Sequence, residues 1–109
     1  MCLVITTVME WYSSVLEKKY ALSVLWYVRN NPGMTKTDIV RMDRGGEKTK
    51  YGILAELMGL GLISSEKDPE GRWNTEHLVL TEEGKIIADH IEEINQIMEN
   101  VHISLTYAS

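Results

Sequence analysis

A mainly helical domain carrying one small β-hairpin is the fold class this sequence predicts, and three observations carry it. Apolar residues recur at three- and four-residue steps across the first third of the chain and again across its last quarter, the spacing of amphipathic helices. Between Leu62 and Leu80 that period gives way to alternation around a turn-rich centre, the pattern of two paired strands. Short groups of glycine, proline and asparagine separate these stretches. With 109 residues, 44% of them apolar and 25% charged, the chain suits a single domain with one modest core.

The first helix is expected from Ser14 to Asn31, with Val15, Leu16, Ala21, Leu22, Val24, Leu25 and Val28 on its inner face. Asn30-Asn31-Pro32-Gly33 ends it, since proline disfavours helix in the residue before it and glycine accepts a left-handed cap. Thr35 reads as the N-cap of a short second helix, Lys36 to Met42, with Asp38 three residues on and Ile39 and Val40 turned inward. Arg44-Gly45-Gly46 is a turn. A third helix begins near Glu47, carries Ile53, Leu54, Leu57 and Met58 on one face, and stops at Gly59 or Gly61. Leu62 to Lys67 is a first strand, Asp68 to Gly71 a turn, and Trp73 to Leu80 a second strand. Thr81 caps the last helix, whose first turn holds Glu82 and Glu83, where negative charge suits the helix dipole. Its apolar positions Ile87, Ile91, Ile94, Met98, Val101 and Leu105 step by four and three in turn, a heptad seam that Ile86 and Ile97 widen.

Charge is unevenly placed. The net charge is −5, which argues against indiscriminate coating of nucleic acid. Residues 36–50, however, hold Lys36, Arg41, Arg44, Lys48 and Lys50 against Asp38, Asp43 and Glu47, whereas the last helix sets Lys85 against six carboxylates.

Two segments carry a resemblance. Leu54-Ala55-Glu56-Leu57-Met58-Gly59-Leu60-Gly61-Leu62-Ile63 and Leu80-Thr81-Glu82-Glu83-Gly84-Lys85, in that order and bracketing the hairpin, resemble the small winged helix-turn-helix transcriptional regulators of bacteria and archaea. In that family the first segment ends the recognition helix and enters the wing, and the second joins wing to final helix. The likeness covers about Lys19 to Ile94. It implies a winged helix-turn-helix with a long C-terminal helix: an N-terminal segment 1–18 that adds to a dimer contact, a DNA-binding domain 19–81, and a dimerisation helix 82–109.

The resemblance implies that the third helix enters the major groove by its leading end and that the wing touches the backbone or an adjacent groove. The expected DNA contacts are Lys36, Arg44, Lys48, Thr49, Lys50 and Tyr51, with Arg72 and Asn74 from the wing. Cations attract phosphate and short polar groups read base edges. Packing of Ile53, Leu54 and Leu57 threatens to turn Lys50 or Tyr51 inward, and Thr35 serves as a cap before it serves as a contact. Glu47 and the wing carboxylates Glu66, Asp68, Glu70 and Glu76 count against phosphate binding. Trp11, Trp26 and Trp73 read as core or interface residues.

The expected dimer seam is Ile87, Ile91, Ile94, Met98, Val101 and Leu105, the plain alternative being a helix folded back on its own domain. The apolar Leu3 to Trp11 segment joins the same interface in this reading. Enzyme chemistry is not expected: His77, His90 and His102 are scattered, Cys2 has no basic neighbour, and Gly45-Gly46 leads into glutamate instead of a phosphate loop's lysine. No cofactor or metal is expected. The single cysteine offers no disulfide framework, and no apolar run reaches the about 18 residues of a membrane span. Met1 to Val8 lacks the basic start and cleavage site of a secretory signal, so the expected compartment is the cytoplasm. The function expected is a homodimeric, sequence-specific regulator of transcription that binds double-stranded DNA and represses. The alternative is a winged-helix module for protein–protein contact within a larger assembly.

Overall fold

The computed structural model describes residues 10–67 and 76–108. A 3-10 turn at Ser14–Glu17 precedes helices α1 (Ala21–Asn30), α2 (Lys36–Arg41) and α3 (Glu47–Gly59). Strands β1 (Ile63–Lys67) and β2 (Glu76–Leu80) follow, and α4 (Glu82–Ala108) ends the chain. The two strands pair antiparallel, Ile63 opposite Leu80 and Lys67 opposite Glu76. The expected turn at Asp68–Gly71, and Arg72, Trp73 and Asn74 after it, lie outside the described residues, as do Cys2 and Leu3 to Met9 of the N-terminal segment.

The core is one cluster. Val24, Leu25 and Val28 of α1, Ile39 and Val40 of α2, and Ile53, Leu54 and Leu57 of α3 meet Ile63, Leu78 and Ile91 with almost no exposure. Each of these three helices therefore buries the stripe that its sequence periodicity marks. Leu22 is the exception and lies exposed.

The first expected helix is two pieces. Tyr20 has a φ of 73°, in the left-handed region, which a helix interior does not accommodate, so the chain turns between Lys18 and Ala21. Periodicity alone gave no sign of the break, because both pieces keep their apolar residues, Leu22 apart, inward. Thr35 caps α2 as expected, its Oγ1 accepting from Asp38 N–H at 3.2 Å. Gly61, with a φ of 78°, follows the end of α3 in the left-handed conformation, and Leu62 N–H bonds back to the Leu57 carbonyl at 3.0 Å.

The hairpin is held at its base on both sides. Gly33 N–H donates to the Leu78 carbonyl (3.0 Å) and Leu78 N–H to that of Met34 (2.8 Å), so the segment before α2 is tied to the free edge of β2 by two hydrogen bonds. His77 Nδ1 lies 2.7 Å from the Gly33 carbonyl. With that acceptor the proton sits on Nδ1.

Candidate nucleic-acid interface

α3 divides cleanly by phase. Lys50, Ile53, Leu54 and Leu57 form its buried stripe, while Lys48, Tyr51, Gly52 and Ala55 lie on the opposite, exposed one. The leading end faces solvent. Gly46, at φ 67°, is its N-cap and brings no side chain to the first free N–H groups, so no side-chain hydrogen bond caps the positive end of the helix dipole.

Of the sequence-predicted contacts, Arg44, Lys48, Thr49 and Tyr51 are exposed around that end, and Lys36 is half-buried at the start of α2. Arg44, Lys48 and Lys36 form no ion pair among the described residues, so their charge is available. Tyr51 Oη donates to Thr37 Oγ1 at 3.2 Å, which joins the outer faces of α2 and α3. Glu47, expected to oppose an anion, lies 3.9 Å from Arg41 Nε, and that pairing offsets part of its charge.

Lys50 is the correction. Only 2% of it is exposed, and its ammonium donates to the carbonyls of Val40 (3.2 Å) and Asp43 (2.7 Å). It stands one turn before Ile53 and Leu54 on the core stripe, so it cannot meet a phosphate. Gly52 and Ala55 are the residues that sequence reasoning missed. They follow Lys48 at steps of four and seven, and their small size leaves the outward face of α3 low enough for close approach to a groove. The signal was present: once the core phase is fixed, the outward phase follows.

The second expected surface is α4. Ala88 and Ile91 are buried in the domain's own core and Ile87 is packed against it, so Ile87 and Ile91 leave the expected dimer seam. The boundary drawn before Glu82 therefore cuts through a shared core. Trp26 Nε1 donates to Glu92 Oε1 (2.7 Å) and Arg29 Nε to Asp89 (2.8 Å), which fix α4 along α1. The Trp26 hydrogen bond holds the Glu92 carboxyl below its usual value against partial burial, with Gln96 and the Arg29 charge adding to the effect. From Glu93 to Leu105 every residue is exposed, including Ile94, Ile97, Met98, Val101 and Leu105. That is about 20 Å of helix with an apolar stripe that none of the described residues covers. Trp11, expected in core or interface, is 68% exposed, its Nε1 bonded to Glu17.

Solved structures share this arrangement. The transcriptional regulator SlyA superposes with a TM-score of 0.71 at 21% identity, over 84% of this chain and 64% of that one. Lactococcus lactis ZitR gives 0.74 at 14% identity, over 97% and 77%. Streptococcus pneumoniae FabT, solved in complex with DNA, gives 0.66 at 18% identity, over 94% and 71%. The fold is the winged helix. Its helix-turn-helix is α2 and α3, its wing is the β1–β2 hairpin, and its long final helix is α4. The chain spans under two-thirds of the SlyA chain. No protein-family model matches the sequence, and no curated protein matches it significantly. Among the described residues, no group of three or more His, Cys, Asp or Glu is placed to hold a metal ion, and no helix is long and apolar enough to cross a membrane.

Proposed function

We propose that this winged helix is a sequence-specific DNA-binding regulator of transcription that acts in the cytoplasm as a homodimer. The observation that carries the reading is the leading end of α3: Arg44 and Lys48, exposed and without an ion pair among the described residues, beside a helix N-terminus that no side chain caps, followed by the low strip of Tyr51, Gly52 and Ala55. Cations draw in the phosphates, the small residues let the helix settle, and Thr49 and Tyr51 supply hydrogen bonds to base edges. The match to FabT, solved with DNA, supports this use of the fold. The uncovered stripe of α4 supports the dimer, in which Ile94, Met98, Val101 and Leu105 meet a second copy. A twofold dimer asks for two half-sites about one helical turn, or a multiple of it, apart. Repression is the simplest output of such a dimer, since a protein bound across a promoter keeps polymerase off it.

The test is a fluorescence titration of labelled duplex DNA from 50 to 200 mM salt. Affinity falls steeply with salt as phosphate contacts release counterions. The double variant Arg44→Ala/Lys48→Ala loses roughly 50-fold in affinity at 0.1 M salt for every sequence tried, and its salt slope falls by about two. Unchanged affinity removes these residues from the interface. The net charge of −5 favours the protein–protein reading, and a wild type that binds no duplex at 50 mM salt would remove the DNA-binding reading and leave that one standing.

Gly52 gives an independent check. No atom lies within 4 Å of where a Cβ would stand, so Gly52→Ala raises stability by about 0.5–1 kcal/mol through helix propensity. On DNA the added methyl is in the way, and affinity falls although the fold is firmer. Thermal melting and titration of the one variant separate the two effects.

A further inference from the structure

The helix that faces DNA must be held at a set angle to α2, and one buried group is placed to hold it. We propose that Lys50 is a positioning residue for α3, tying it to the end of α2 and to the segment before α1. The inference rests on the DNA-binding reading and names what sets the geometry of that same site.

Four parts of the chain converge on the Lys50 ammonium. Its stem lies on the core stripe of α3, and its Nζ reaches back to the carbonyls of Val40, in the last turn of α2, and Asp43, in the connecting turn. Carbonyls at a helix end have no partner within the helix, so the ammonium caps α2 from outside it, at the end where its dipole favours positive charge. The ring of Tyr20 closes the other side, its centroid 4.9 Å from Nζ. Tyr20 reaches that place through its left-handed backbone. Gly46, the N-cap of α3, lies against the same ring, and a Cβ there would overlap it. Among the described residues Lys50 has no carboxylate partner, so its charge rests on backbone dipoles and the ring face alone. An apolar side chain would fill the space and leave the Val40 and Asp43 carbonyls without this donor. A lysine therefore does what packing alone does not: it ties the turn bearing Arg44 to the helix bearing Lys48.

A phosphate contact and a positioning group differ in what their loss changes. Losing a phosphate contact weakens binding to all DNA and lowers the salt slope by about one. Losing a positioning group spares the contacts but blurs their register, so discrimination falls while the slope stays. Lys50→Met keeps the stem and removes the donor. Its affinity for a duplex enriched from a random library by the wild type falls at least tenfold relative to poly(dI-dC), at unchanged salt slope. Backbone amides of residues 44–50 exchange with solvent at least tenfold faster, while those of Leu78 and Ala88 hold. If Lys50→Met does not fold, Tyr20→Leu keeps the lysine, removes the ring and shifts both readouts the same way by a smaller factor. The wild type needs no substitution for a third measure: amine acetylation modifies Lys50 at least tenfold more slowly than Lys48. Acetylation of the two at equal rates overturns the proposal, and so does an equal loss for both DNAs with the slope down by one. If the wild type enriches no duplex, the DNA-binding reading fails, and exchange and acetylation still decide whether Lys50 holds the two helices.

Discussion

Gly84→Ala lowers the melting temperature by about 15 °C, the largest loss expected from adding one methyl group to this protein. Gly84 is buried in the first turn of α4, and a Cβ on it would overlap the backbone carbonyl of Leu62. Backbone cannot swing aside as a side chain does, so either β1 or α4 must move. Both are already pinned there. Thr81 N–H donates to the Leu62 carbonyl (3.1 Å), and Thr81 Oγ1 donates to the Gly61 carbonyl (2.6 Å) while accepting from Gly84 N–H (3.1 Å). Forcing this junction apart costs on the order of 3 kcal/mol, since overpacking is combined with lost hydrogen bonds. Thr81→Ala loses the cap alone and costs about 1 kcal/mol. Calorimetry of the two variants ranks them, and a Gly84→Ala melt within about 2 °C of the wild type would refute the close approach. The junction matters for function because it joins the far end of α3 to the start of α4. It thus fixes how α3, the proposed DNA-facing helix, is carried relative to the proposed dimer helix.

That junction also explains what was legible in the sequence. The segments ending Gly61-Leu62-Ile63 and beginning Leu80-Thr81-Glu82-Glu83-Gly84 are some twenty residues apart, and together they carry the resemblance to winged-helix regulators. In space they are one contact. Their residue types answer backbone demands: a left-handed glycine, a hydroxyl cap, and a glycine with no room for a side chain. Such demands are local and survive in a single sequence. Helix phases were legible for the same reason, since burial of Ile39, Val40, Ile53, Leu54 and Leu57 follows from spacing. The same spacing put Lys50 or Tyr51 at risk of turning inward, but not which of them, because charge normally decides exposure and here two backbone carbonyls and a ring from distant segments overrule it. Equally hidden was the end of the shared core on α4. The heptad pattern runs unbroken from Ile87 to Leu105, and only the position of α1 shows that Ile91 belongs to the domain and Ile94 to the surface beyond it. Tyr20 reads as one more helical residue until its backbone is seen.

Ile94→Asp separates the proposed dimer without unfolding the protomer. Ile94 is 54% exposed at the edge of an apolar groove of about 350 Å³ that Leu22, Trp26, Tyr27, Ile91 and Met98 also line. A carboxylate there can turn to water while the chain is a monomer. Against the apolar stripe of a mate it would be enclosed without a partner charge, and each protomer would bring one. In sedimentation the wild type is expected as a dimer and the variant as a monomer at micromolar concentration. Specific DNA affinity then drops by a factor of 10² or more, since two linked reading heads become one. Ile91→Asp is the contrasting case: with 8% exposure that residue is core, and its variant loses the fold before it loses the partner. Helicity supplies a second readout. The thirteen residues from Glu93 to Leu105 continue a helix nucleated in the core but draw no stability from packing on the described residues, so freeing them from a mate frays the end of α4. Far-ultraviolet dichroism should therefore fall with dissociation while melting of the core is kept. A wild type that sediments as a monomer, its helix content intact, would mean that the stripe is not a seam between copies and would leave the homodimer without support.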